Sequence, residues 1–254
     1  MRRRRCERLR QRLGALPLRR PGDRRRRTQG QRRDRTLVSF YDEHHRTLQD
    51  HFDSRALADT LQAITVQPEL DTDTAEFLTS REFFFLTTVR ADGFPTVSHK
   101  GGPPGFVKVL DPTTVAFPSY DGNGMFLSMG NIAATAKVGL LFIDFEIPHR
   151  VRLHGEATIS ADDELLGEFP GAELIARVAI TEQFVNCPRY IVKHTRVAPS
   201  PYVPDENGDA PTATWKKIDG MSAVLPPADA ERVDAEGEQI SIAEYETRRR
   251  NGTV

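Results

Sequence analysis

The chain has 254 residues, of which 38% are hydrophobic, and a net charge of −1. No apolar run approaches the roughly 18 residues that a membrane helix needs, so no membrane association is expected. The two cysteines, Cys6 and Cys187, lie far apart in sequence, which excludes a disulfide framework and a cysteine-based zinc site. A reducing, cytoplasmic location fits this composition best.

The charge is divided unevenly along the chain. Residues 1–36 hold sixteen arginines against three acidic residues. Residues 1–37 are therefore predicted to form a disordered leader, because such a segment cannot bury enough apolar surface to order itself. Three interpretations remain: translation truly begins near Val38, the leader binds polyanions without sequence specificity, or it is a targeting peptide. No specific nucleic-acid binding is expected, and an export signal is excluded because no apolar stretch follows the arginines.

Residues 38–80 are predicted to form lead-in helices. The first of these has aromatic or apolar positions at four-residue steps, at Phe40, His44, Leu48 and Phe52. Asp53 or Ser54 would cap a second helix. One of residues 71–73 would cap a third helix that ends at Leu78.

From residue 82 onward the pattern is that of short strands separated by turns. The predicted strands span residues 82–89, 94–100, 106–110, 115–119, 138–146, 151–159 and 176–184. The continuous apolar run 138–146 predicts a strand buried on both faces, whereas 151–159 alternates cleanly. One helix lies between the fourth and fifth strands and another around 161–169. This order, without βαβ alternation, indicates a mainly β fold with peripheral helices, an antiparallel barrel over residues 81–199.

The segment after the barrel differs in composition. Residues 200–225 are rich in proline, aspartate and glycine and are predicted to form an extended wrap. Residues 226–254 read as an acidic, polar C-terminal tail with only a weak apolar pattern.

The stretch "YDGNGMFLSMGNIAATAKVGLLF" (residues 120–142) combines a glycine-rich turn, a helix and a strand. Asn123 is predicted to cap the helix, and Gly124 would let the backbone approach a ligand closely. The helix has an apolar stripe, at Met125, Met129, Ile132 and Ala136. Its polar stripe, at Ser128, Asn131 and Thr135, faces either a ligand or solvent. Unpaired N–H groups at such a helix start suit an anion.

The segments "TTVRADGFPTVS", "FVKVLDPTTVAFPS" and the stretch ending in "KVGLLF" together resemble the FMN-binding split-barrel family that includes pyridoxamine 5′-phosphate oxidase. The resemblance extends from about Phe77 to Phe184. It implies a six- to seven-stranded antiparallel split β-barrel that pairs as a homodimer, with the flavin at the interface. It also implies that a basic residue on the second hairpin and groups around the helix start hold the cofactor phosphate.

Carried over residue by residue, the resemblance implies a cofactor-binding set. Its members are Lys108, Pro118, Ser119, Asn123, Gly124, Ser128, Asn131 and, less directly, Lys100. Two features depart from the family pattern. The usual basic pair at the helix start is missing, and so is the arginine-containing C-terminal segment of the oxidase. The activity of that oxidase is therefore not carried over.

A second short motif, "NCPRY", places Cys187, Arg189 and Tyr190 together, and we assign these residues to the substrate side of the cleft. Cys187 is either a redox thiol whose pKa is lowered by Arg189 or a small buried side chain. The histidines form no convincing metal site, and the sequence identifies no catalytic residues.

These observations predict an FMN-binding oxidoreductase that acts on an unidentified small molecule. A deazaflavin or haem in the same cleft is an alternative cofactor, and His99, His149 and His194 are the only plausible axial ligands for haem. A flavin-binding or redox-sensing protein without turnover is the other alternative.

Overall fold

The computed structural model describes residues 40–253, so the arginine-rich leader lies outside the described residues. Within these residues the chain divides into two units, of which one ends at Leu48 and the other begins at Gln49. Within the described part, no helix is both long and apolar enough to cross a membrane.

Three helices lie between residue 40 and the main sheet. They are α1 (Glu43–His51), α2 (Arg55–Thr65) and α3 (Thr72–Thr79). Asp71 caps α3, and its carboxylate accepts the N–H of Thr74 at 2.8 Å. Ser54 precedes α2 but makes no capping bond to it, because its hydroxyl donates to Gln49 O instead.

One antiparallel sheet follows. Its strands are β1 (Val66–Gln67), β2 (Phe83–Val89), β3 (Pro95–Gly101), β4 (Lys108–Asp111), β5 (Thr114–Tyr120), β6 (Lys137–Asp144), β7 (His149–Ser160) and β8 (Ala172–Val185). Seven strands run in the order β3-β2-β6-β7-β8-β5-β4, and the two-residue β1 pairs with β8. The sheet does not close, because the described residues contain no ladder between β3 and β4. This confirms the mainly β, split-barrel fold.

Alternate strand residues, together with residues of the connecting segments, form the core. Phe84, Phe106, Phe117 and Phe142 are fully buried, and the ring of Phe84 contacts the other three at centroid distances of 5.0–5.8 Å. Each such ring contributes about 1.5–3 kcal/mol through burial. Strand β7 alternates as predicted. The prediction that β6 is buried on both faces is wrong, because only alternate residues are fully buried and the other face is partly exposed.

The connection between β3 and β4 depends on glycine. Gly102 donates its N–H to Glu82 O, and a Cβ at this position would lie 2.5 Å from the ring of Phe106. Only glycine therefore lets Phe106 enter the core directly after the edge strand.

The end of the chain is more ordered than its composition suggests. Residues 226–254, predicted as a polar tail, contain α5 (Pro227–Glu236) and α6 (Ile242–Asn251). Residues 200–225 are irregular except for two short 3₁₀ turns, Thr214–Lys217 and Met221–Ala223, and an isolated parallel bridge from Ile218 to Ile240.

Candidate functional site

The loop between β5 and β6 leads into helix α4 (Leu127–Thr135), which begins later than predicted. The prediction that Asn123 caps this helix is wrong. Its side chain accepts the N–H of Met125 at 3.1 Å and so closes a turn within the loop. Phe126 occupies the N-cap position in the left-handed region, with a φ of 46°, and provides no side-chain cap. The first turn of α4 is therefore left without a capping side chain.

The polar stripe of α4 faces the sheet, rather than solvent. The amide nitrogen of Asn131, a buried residue, donates to the hydroxyls of Thr88 and Thr96 at 3.0 and 3.1 Å. Thr135 donates to Val89 O at 2.7 Å. These contacts fasten α4 to β2 and β3, so Asn131 has a structural partner at the position where a ligand contact was predicted.

A polar layer formed by Ser98, Lys100 and Ser128 lies at the first turn of α4 and is partly accessible to solvent. Ser128 Oγ lies 3.0 Å from Ser98 Oγ, and both side chains are partly buried. Lys100 follows two residues after Ser98 on β3, so its side chain lies on the same face of the sheet. Burial lowers the pKa of the Lys100 ammonium. Within residues 40–253, no carboxylate forms an ion pair with it.

Lys108 is engaged elsewhere. It lies on β4, at the opposite end of the strand order from β3, and its Nζ is 2.8 Å from Glu168 Oε2. The same ammonium lies 5.5 Å from the ring centroid of Phe169. The phosphate-binding role predicted for Lys108 stays a prediction, and it would require exchange of this ion pair.

Pro118 and Ser119 lie near the end of β5, in register with Ile175 and Leu174 of β8. Pro118 is buried and Ser119 is partly exposed. Gly124 is exposed in the loop that follows and has a φ of 71°, so this position favours glycine. Their contacts with a cofactor also stay predictions.

The "NCPRY" segment is exposed and follows β8. The suggestion that Cys187 is a small buried side chain is wrong, because the thiol-bearing residue is exposed. Hydrogen bonds from the backbone and side chain of Arg189 lower the pKa of this thiol. Tyr190 is 92% exposed and has a φ of 73°. A role for these residues toward a substrate remains a prediction.

The three histidines suggested as haem ligands each pack against a phenylalanine ring. His99 stacks on Phe83 at 5.3 Å, and the other two, His149 and His194, contact Phe77 and Phe145 at 4.6 and 5.1 Å. Burial, followed by the charge of Lys100, lowers the pKa of His99. Residues 40–253 contain no group of three potential metal ligands.

Sequence reasoning missed a charged cluster beside the same loop. Lys216 is almost completely buried, and its Nζ lies 2.6 Å from Asp121 Oδ2 and 2.9 Å from Asp229 Oδ2. Asp121 directly follows β5, so this contact ties the C-terminal region to the start of the loop. No local spacing could reveal a contact between residues 95 positions apart.

A model of the pyridoxamine 5′-phosphate oxidase family matches residues 70–197, which is half of the chain and spans the whole sheet from β2 to β8. The chain belongs to this family. No curated protein matches it.

Three solved structures are similar to part of this chain. A candidate pyridoxamine 5′-phosphate oxidase from Lactobacillus delbrueckii is 27% identical, with a TM-score of 0.38 and coverage of 48% of this chain and 99% of the other. HupZ from Group A Streptococcus is 16% identical, with a TM-score of 0.39 and coverage of 50% and 100%. An FMN-binding protein from Syntrophomonas wolfei is 11% identical, with a TM-score of 0.35 and coverage of 55% and 97%. Because all three TM-scores are below 0.5, the family assignment rests on the sequence match.

Proposed function

We propose that this protein binds a flavin, FMN in particular, where α4 meets the edge of the sheet. The family match over residues 70–197 is the observation that supports this proposal most strongly. The polar layer at the start of α4 supports it further, because it joins a helix N-terminus, two hydroxyls and a cation on one side of the sheet.

The chemical groups at the start of α4 are of the types that bind a phosphate. A phosphate needs N–H donors and positive charge, and an uncapped helix start offers both through its free N–H groups and its dipole. Ser98 and Ser128 would donate hydroxyls. Lys100 would supply the formal charge, and an anion would offset the cost of its burial. Lys108 remains the rival cation, since the family resemblance implies it.

We propose that the protein is an oxidoreductase acting on a small molecule. A bound flavin supplies the redox chemistry, and the protein binds it, orients it and excludes water. The protein's own contribution would be to fix the phosphate end at α4 and to leave the exposed loop and the "NCPRY" segment for the substrate.

We further propose a homodimer with the flavin at its interface. Exposed apolar side chains border the loop and the edge strand, with Met125 69% exposed, Phe126 52% exposed and Val97 of β3 67% exposed. A second copy that covered these side chains would remove apolar area from water and enclose the flavin.

The visible spectrum of the purified protein, recorded before and after denaturation, tests the cofactor. Release of FMN supports the proposal, whereas a Soret band would identify haem and a deazaflavin spectrum would identify the other alternative. A colourless protein that takes up none of these cofactors on titration would contradict flavin binding. Sedimentation with and without FMN tests the dimer, and a protein that stays monomeric in both would exclude a site at the interface.

A further inference from the structure

Two arginines, Arg150 and Arg152, lie on the face of β7 that is turned away from the core. Arg150 and Arg152 are separated by one residue, so their side chains project from the same face of the strand. Arg150 Nη2 donates to Cys187 O at 2.9 Å, and Arg152 Nη1 donates to Asn186 Oδ1 at 2.7 Å. Both acceptors are neutral, so these bonds orient the guanidinium groups without neutralising them.

The positive charge of the pair is uncompensated. Neither guanidinium has a carboxylate within 4.0 Å among residues 40–253, whereas Arg81 and Arg196 each pair with one and Arg177 pairs with two. Burial, followed by the charge of Arg150, lowers the pKa of Arg152. Folding therefore brings two like charges together in partly dehydrated positions, which costs free energy unless an anion joins them.

One donor of the pair finds no acceptor in the described part of the chain. Arg150 Nε is buried and makes no hydrogen bond to any of residues 40–253. A buried N–H without a partner costs about 1–3 kcal/mol, so such groups are rare in folded proteins. The positive field also reaches the neighbouring segment, because Arg150 contributes to the lowered pKa of Cys187.

We propose that Arg150 and Arg152 form a binding site for an oxyanion, the phosphate or carboxylate group of a small molecule. A guanidinium group matches the geometry of such an oxyanion, and the Arg152 guanidinium lies over the ring of Phe184, 5.8 Å from its centroid. The hydrogen bonds to Asn186 and Cys187 hold the forks in place before the anion arrives.

Titration calorimetry with inorganic phosphate, pyrophosphate and malonate tests the site in the full-length protein. We expect at least one of these anions to bind, and Arg150→Gln and Arg152→Gln each to weaken its binding at least tenfold, about 1.4 kcal/mol. Arg150→Lys keeps the charge but removes the fork and should lose only part of the affinity. The matched control is Arg90→Gln, since Arg90 is an exposed arginine that already pairs with Asp92.

Circular dichroism and thermal melting establish that each variant is folded. The proposal is wrong if none of the three anions binds to the wild-type protein, or if the folded Arg152→Gln variant binds the anion as tightly as Arg90→Gln does. A second titration in the presence of saturating FMN identifies the source of the anion. Retained binding assigns the site to a second molecule, and lost binding assigns it to the phosphate of the flavin itself. The titration without FMN needs no flavin and holds whether or not the protein binds one.

Discussion

Lys100 and Lys216 both lose water on folding, but the protein surrounds them differently. Lys216, with a side chain only 3% exposed, lies between the carboxylates of Asp121 and Asp229. Lys100 lies on β3 beside the Ser98–Ser128 pair, without a carboxylate partner in the part of the chain that is described. One cation is compensated by the chain, and the other is not.

The pKa values of Lys100 and Lys216 shift in opposite directions, because only Lys216 has carboxylate partners among the described residues. Burial lowers the pKa of Lys100, and no partner within residues 40–253 counters this effect. Burial also acts to lower the pKa of Lys216, but hydrogen bonds to Asp121 and Asp229 outweigh it, so that pKa is raised. We infer that Lys216 serves the fold, while Lys100 is available to a ligand that brings its own negative charge.

Replacing Lys216 gives the largest expected effect. Lys216→Met would leave two carboxylates facing each other without their cation, and Asp229, only 16% exposed, cannot regain full hydration. Since Asp121 can rehydrate, the loss in unfolding free energy should lie at the low end for a broken buried pair, about 3 kcal/mol. Chemical denaturation at pH 7 measures it.

Lys137→Met is the control for this change, because Lys137 is an exposed lysine at the start of β6. We expect it to alter the unfolding free energy by less than about 0.5 kcal/mol. If Lys216→Met is no more destabilising than Lys137→Met, the cluster does not hold the C-terminal region in place.

Replacing Lys100 should weaken FMN binding without lowering the stability of the fold. Lys100→Met removes a charge that the fold does not compensate, so the unfolding free energy without ligand should stay the same or rise. The affinity for FMN should fall about tenfold, or 1.4 kcal/mol, as expected for one charge-assisted contact to the phosphate. Fluorescence titration of FMN measures this affinity.

Lys108→Met separates the two candidate cations. Because Lys108 already pairs with Glu168, we expect this variant to weaken FMN binding less than Lys100→Met does. The reverse order would show that the residue implied by the family resemblance, rather than Lys100, holds the phosphate.

The sequence could predict the features that depend on local pattern, but not those that depend on tertiary contacts. The strands follow from local alternation and turn residues, so β2 and β7 were predicted within two residues at each end. The start of α4 could not be read locally, because Asn123 can cap a helix or close its own turn, and the fold selects the turn. Helix α6 was missed because it is polar on nearly every face and contains no buried residue.

The candidate site depended even more on distant contacts. The sequence places Ser128 and Asn131 on one helical face, but it does not show that β2 and β3 cover that face. Lys100 and Lys216 look alike in sequence, each with a polar or basic neighbour. Only the tertiary structure shows which lysine has carboxylates beside it.

The smallest expected effect concerns Glu173, which lies near the cluster of Lys216. Burial, followed by the charge of Asp121, raises the pKa of Glu173, and Lys216 offsets this only in part. A raised pKa in the folded state means that ionised Glu173 costs stability above that pKa, and that the cost disappears as the pH falls below the unfolded value near 4.5.

Glu173→Gln should therefore stabilise the protein at pH 7. The gain should be about 0.5 kcal/mol or less, because the residue is exposed and water screens its charge. Thermal melting between pH 4 and pH 8 measures the difference, with the exposed Glu206→Gln as control. A gain for Glu173→Gln that persists unchanged at pH 4, or one that Glu206→Gln matches at pH 7, would show that the gain does not come from the raised pKa of Glu173.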